Sequence, residues 1–90
     1  MKLIYDPQKR AKTLLERGLD FERAEEVLTS RHITVRDDRW DYGELRQVTM
    51  GYLDDRVVVV VWTVRGEFRR IISMRKANER EQRCFRDQLD

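Results

Sequence analysis

Five consecutive valines, Val57 to Val61, sit inside an apolar run that extends to Val64 with Thr63 within it. β-Branched side chains are stiff at χ1 and suit a pleated surface better than a helix, so the run predicts a strand. No polar residue alternates with the valines, so the strand must be covered on both faces. It is therefore expected to be the centre of a sheet, and everything else in the chain has to be arranged around it. The run is far shorter than the ~20 residues that span a bilayer. The opening MKLIYDPQKR has no long hydrophobic stretch, so neither a signal peptide nor a membrane helix is expected. A cytoplasmic chain is the reading. Ninety residues, 40% of them charged against about 25% in an average domain, make one small domain over residues 1–90 with its apolar groups gathered on few faces.

Upstream of the valines the period is helical. Asp6 before Pro7 is an N-cap followed by a proline at the first helical position. Ala11, Leu14 and Leu15 recur on one face, and Gly18 ends the helix with Leu19 closing it. Asp20 caps a second helix carrying Phe21, Ala24, Val27 and Leu28, and together the two predict a helical hairpin with an apolar inner face. A short strand over Lys2 to Tyr5 precedes it. After Ser30 the period becomes extended. Ile33 to Arg36 is a weak strand, and 37–43 a loop. Glu44 to Tyr52 follows with Arg46, Val48, Met50 and Tyr52 on one face, then a turn at Asp54-Asp55 leads into the valine strand. Gly66 turns the chain into Phe68 to Arg75, whose alternation sets Phe68, Arg70, Ile72 and Met74 against Arg69, Ile71, Ser73 and Arg75. Lys76 to Leu89 is a closing helix with Ala77, Cys84 and Phe85 inward. The fold class is α+β: a helical hairpin packed on an antiparallel sheet of three to four strands, with a C-terminal helix. Its helices are expected on one face of the sheet, leaving the other free for a ligand.

The chemistry is more exclusive than the fold. No glycine-rich phosphate loop, HExxH or nucleophile elbow occurs, which argues against nucleotide hydrolysis, zinc proteolysis and esterase chemistry. A single cysteine, Cys84, allows neither an intrachain disulfide nor a cysteine zinc site and reads as a small core residue. His32, the one histidine, reads as an inert surface residue. No metal or cofactor is expected. Fifteen of the nineteen basic residues are arginine, and 65–86 holds eight basic groups against three acidic ones. Guanidinium grips phosphate or carboxylate bidentately, so Arg65, Arg69, Arg70 and Arg75, held on a hairpin, suit recognition of successive phosphates. The competing reading pairs them with Glu44, Glu67, Glu79 and Glu81 on an ordinary surface.

The order of motifs resembles the BrnT family of type II toxins. The likeness runs through Tyr5-Asp6-Pro7-Gln8-Lys9, Gly18 with Phe21 and Ala24, and Tyr42-Gly43-Glu44-Leu45-Arg46 followed by Gly51. Its most specific piece is Arg70-Ile71-Ile72-Ser73-Met74-Arg75-Lys76-Ala77 with Glu81. The resemblance implies a RelE-like fold and a ribonuclease that inhibits translation. It also implies neutralisation by a cognate BrnA-type antitoxin whose DNA-binding domain links the complex to DNA indirectly. A homodimer or a toxin-antitoxin heterotetramer would be its assembled form. The chain departs from the family at Thr13, where members carry asparagine, and at Glu16-Arg17-Gly18, where they end the first helix in Lys-His-Gly. Arg17 cannot act as a base at neutral pH, although it can hold a phosphate.

For metal-independent RNA cleavage the expected catalytic set is Lys9, Glu44, Arg46, Arg70 and Arg75, with Arg65, Arg69 and Lys76 binding RNA. Glu44 is the candidate base, provided that neighbouring groups raise its pKa. Arg46, Arg70 and Arg75 stabilise the phosphate, and Lys9 serves the leaving oxygen. Arg70 and Arg75 have opposite strand parity, so both reach one site only if a bulge or bend re-aims one of them. The reading from another class is a non-catalytic module binding RNA or an acidic protein. The antitoxin is expected across the sheet and terminal helix, because Glu22, Glu25 and Glu26 make the hairpin's outer face acidic.

Overall fold

The computed structural model describes residues 2–89. In chain order the elements are β1 (Lys2–Ile4), α1 (Pro7–Arg17), a 3₁₀ turn (Phe21–Arg23), α2 (Ala24–Thr29), β2 (Ile33–Arg36), β3 (Arg46–Leu53), β4 (Arg56–Arg65), β5 (Phe68–Lys76) and α3 (Glu79–Leu89). They form an α+β arrangement around one sheet of order β1-β5-β4-β3-β2. The valine strand β4 is central, as its composition requires. The expected strand number is corrected: among the described residues the sheet has five strands, because Lys2–Ile4 joins it as an outer strand parallel to Phe68–Arg70.

Odd and even valines face opposite ways, so both faces of the sheet are apolar and each needs a cover. On the first face Val58 and Val60, with Ile71 and Met74 from β5, pack against Phe21, Ala24, Val27 and Leu28. On the second, Val57 and Val59 pack with Ala77 and Phe85, flanked by Val48, Met50 and Leu89. The expectation that all helices share one face is therefore corrected. The terminal helix folds back over the second face at its Val57 end, while Arg46, Arg65 and Arg70 stand toward the other end of that face.

The expected hairpin is matched only in part: both helices form, but the second opens as a 3₁₀ turn that takes the Asp20 cap, and α1 packs mainly on β5 and that turn. Asp6 accepts from the Gln8 amide at 2.9 Å, Gly18 takes the left-handed φ of 68° at the C-cap, and Asp20 accepts from the Glu22 amide at 2.9 Å. The inner face is apolar in only one of the two helices. Phe21, Ala24, Val27 and Leu28 are buried, whereas no residue of α1 is, and Leu15 is 87% exposed. The first helix lies along the β5 edge beyond β1 and satisfies that edge with polar groups: Arg17 donates from Nη1 to the Met74 carbonyl at 2.8 Å. Helix α2 approaches the sheet closely at Gly51, where an added Cβ would lie 2.6 Å from the Val27 carbonyl oxygen.

The terminal helix begins three residues later than expected. Ala77 still bonds to the β4 backbone, its amide donating to the Val57 carbonyl at 3.0 Å. Counting helical phase from Ala77 misplaces Cys84, which is exposed. Phe85 alone of that pair points inward.

Candidate functional site

Cross-strand partners in a sheet point to the same side, so register decides which arginines can meet. On the second face Thr63 lies between Arg46 of β3 and Arg70 of β5, Val59 pairs with Arg75, and Arg65 ends the same row on β4. Simple alternation would put Arg70 and Arg75 on opposite sides. The β4–β5 ladder slips between Val61 and Trp62: Val61 pairs with Ser73 and Trp62 with Ile71, leaving Ile72 unpaired. One extra residue restores equal parity. Four guanidiniums, from three strands, therefore rise from one face, and the alternation read for β5 is corrected beyond Ile71. The bulge also sends Ile71 and Met74 together into the first-face core, where both are buried.

The floor between these arginines and α3 is a hollow of about 390 Å³ bounded by Val48, Val59, Val61, Ser73, Arg75 and Glu81, with Asp37 and Arg39 on its rim. Arg75 is held by a two-point grip, Nη1 and Nη2 donating to the two Glu81 carboxylate oxygens at 2.7 Å each. Glu81 also accepts from the Asn78 amide at 3.0 Å while Asn78 Oδ1 accepts from the Glu81 amide at 2.8 Å. This reciprocal cap starts α3, so the helix terminus and the arginine are positioned by one carboxylate. The hydrogen bonds from Arg75 hold Glu81 below the usual carboxylate range, and the same bonds raise Arg75.

At the far end Glu44 accepts from Arg65 Nη2 at 2.9 Å and lies 3.6 Å from Arg46 Nε. The Arg46 guanidinium stacks over the Tyr42 ring at 4.0 Å. Asp37, its side chain only 2% exposed, gathers the loop between: both carboxylate oxygens accept from Arg39, at 2.9 and 3.0 Å, and Tyr42 donates to one of them at 3.1 Å. Those bonds, Arg39 first, push its carboxyl down to about 2. The Asp37 amide donates to the Arg46 carbonyl at 2.9 Å, which fixes the loop to β3. Arg70 has no ion-pair partner among the described residues.

Glu44, Arg46, Arg65, Arg70 and Arg75 are thus brought to one face. Arg69 is not: it points to the first face, its guanidinium 4.4 Å from the Trp62 ring centroid and 3.8 Å from Glu25. Lys76 lines a separate hollow with Tyr52, Arg56 and Arg86. Lys9 lines a third with Lys12, Arg17, Ile72 and Ser73 on the β5 edge. Ser73 borders both this hollow and the central one, so the two adjoin. Arg39 was not legible in the sequence as part of the site, because a loop residue's direction follows from the carboxylate it meets. Phe68, at the start of β5, is 39% exposed.

A family model described as "Ribonuclease toxin, BrnT, of type II toxin-antitoxin system" matches residues 5–81. The chain belongs to the BrnT toxin family. The matched segment contains every arginine of the second-face row, both hollows around Ser73 and the Glu81 carboxylate. BrnT toxins are ribonucleases of toxin-antitoxin systems, so an RNA substrate and an antitoxin protein are implied for this BrnT chain. No curated protein matches it. No helix among its described residues is long and apolar enough to cross a membrane.

Proposed function

We propose that this BrnT chain cleaves RNA without a metal ion on the second face of its sheet, using Glu44, Arg46, Arg70 and Arg75 with Lys9 alongside. The observation that carries this reading is the Ile72 bulge, which aligns Arg70 and Arg75 with Arg46 and Arg65. In the reaction the 2′-oxygen bonds to the adjacent phosphorus and the bond to the 5′-oxygen breaks, leaving a 2′,3′-cyclic phosphate and a 5′-hydroxyl end. Glu44 takes the 2′-hydroxyl proton. The guanidiniums supply the positive charge that the crowded phosphorane needs. Arg70 is free to donate, and Arg75 retains donors beyond the two given to Glu81. Lys9, across Ser73, neutralises or protonates the departing 5′-oxygen. Arg65 binds a neighbouring phosphate. Lys76, lining a separate hollow, contributes only through outlying backbone contacts, and Arg69, on the opposite face over Trp62, contributes none.

The partner reading follows from the same surface. A BrnA-type antitoxin docks across the second face and α3, bringing carboxylates to the arginines, and carries the complex to DNA. The chain acts in the cytoplasm, as a single RelE-like domain paired with its antitoxin.

The test is cleavage of single-stranded RNA in the presence of a chelator. Arg75→Ala is expected to lower the rate about 10²–10³-fold, the scale for removing one donor to a developing charge. Glu44→Gln is expected to lower it by about 10²–10⁴, the scale for losing a general base. Fragments should end in a cyclic phosphate. Full activity in both variants removes these roles, and RNA that is retarded but intact identifies a binding module.

A further inference from the structure

The ring faces of this chain are mostly occupied from within. Tyr5 meets Phe21 edge-on at 5.9 Å and Tyr52 meets Phe85 at 5.3 Å. Arg46 covers Tyr42 and Arg69 covers Trp62. Trp40 is different. Among the described residues neither a ring nor a guanidinium lies on it, and it is the most exposed aromatic, at 73%.

A singly exposed indole is ordinary on a protein surface, so what matters here is the support beneath it. Its loop is not loose. Arg36 holds Asp38 at 2.8 Å, Asp41 accepts from the Gly43 amide at 2.9 Å, and Asp37 gathers Arg39 and Tyr42. Trp40 therefore stands on a braced support, which keeps the entropy cost of stacking low. It lines a hollow of about 390 Å³ with Arg36, which is paired to Asp38, and with Asp41, Tyr42, Glu44 and Leu45. Glu44 on that wall is the carboxylate that also holds Arg65 and Arg46. The hollow thus opens directly beside the guanidinium row.

We propose that Trp40 is the stacking platform for one unpaired RNA base next to the phosphate held by Arg46 and Arg65. The acceptor-rich wall favours a base that presents amino donors over uracil. This rests on the ribonuclease reading above and names the nucleotide contact of that same site. A base fits the wall better than a protein anchor does, because an inhibitor bringing carboxylates to the arginines would meet Asp38, Asp41 and Glu44 here. A nucleotide places its charge on the guanidiniums and its neutral ring in the hollow.

The experiment compares wild type, Trp40→Leu and Trp40→Phe, each checked by thermal melting. For Trp40→Leu, KM on single-stranded RNA should rise about tenfold, within the range of one base–aromatic contact, with kcat within about twofold. Trp40→Phe should recover most of the loss. Uncleavable 2′-O-methyl oligoadenosine and oligocytidine should quench wild-type tryptophan fluorescence and bind more tightly than oligouridine, and Trp40→Leu should lose both the quench and the preference. Equal KM, equal fragments and equal oligonucleotide affinity in Trp40→Leu overturn the proposal. So does a loss of affinity confined to the cognate antitoxin, which would make the indole a protein anchor. If wild type leaves RNA intact, the ribonuclease reading fails by itself, and the oligonucleotide binding still decides whether Trp40 stacks a base.

Discussion

Asp37 concentrates more of the loop's order than any neighbouring residue. Its carboxylate takes two bonds from Arg39 and one from Tyr42, and Tyr42 in turn lies under Arg46. Its carboxyl falls from the ordinary 3.8 to about 2 in the folded chain. A group held below its unfolded value contributes stability that is complete above about pH 4 and lost as pH falls toward 2. The melting temperature of the wild type is therefore expected to drop through that window by more than that of Asp37→Asn, which is less stable at neutral pH and has no such carboxyl to protonate. Equal acid slopes in the two proteins would show that the loop is held by other contacts. Glu81 obeys the same sign, its carboxyl also being held down by an arginine. Acid should accordingly release Arg75 and loosen the cap of α3 together.

Among the elements, the bulge in β5 does most to place the site, while α2 on β3 closes the first face of the sheet. Helix α2 sits so close to Gly51 that a Cβ there would be 2.6 Å from the Val27 oxygen and 2.7 Å from Ser30 Oγ. Backbone cannot yield cheaply. Gly51→Ala is expected to cost about 1–3 kcal/mol by overpacking, read as a lowered urea midpoint at unchanged slope. The contact is local to the first face, so RNA cleavage by the folded variant should survive it. These elements also show what a single chain can disclose. The valine strand, the caps at Asp6, Gly18 and Asp20, and the face shared by Arg46, Val48, Met50 and Tyr52 were legible, because each rests on spacing along one segment. The Ile72 bulge was legible only as a condition for Arg70 and Arg75 to meet. An extra residue is defined by its partner strand, and the partner's register is a long-range fact.

At the scale of the molecule, the second face is a cationic floor closed at one end by α3. Single-stranded nucleic acid releases about 0.7 counterion per phosphate neutralised. Arg70→Ala should therefore lower the salt dependence of RNA binding, the slope of log K against log salt, by about 0.7. Arg69→Ala should leave it nearly unchanged, since that guanidinium lies on the opposite face over Trp62. Equal effects of the two substitutions would mean that RNA wraps both faces. The contrast is informative because the two arginines are adjacent in sequence and chemically identical, and differ only in the side to which the pleat directs them.

What the amino-acid sequence determined by itself was the inventory: a central strand buried on both sides, two capped helices before it, an arginine-rich hairpin after it, and motifs that mark a BrnT toxin. Tertiary structure alone decided that Lys2–Ile4 would extend the sheet, that α3 would cover the Val57 end of the second face, and that Glu81 and Glu44 would hold the arginines at its two ends. Periodicity reports which side of its own segment a residue occupies. The side of the molecule on which that segment then lies depends on pairing register, on one unpaired isoleucine, and on which apolar face a distant helix must shield from water.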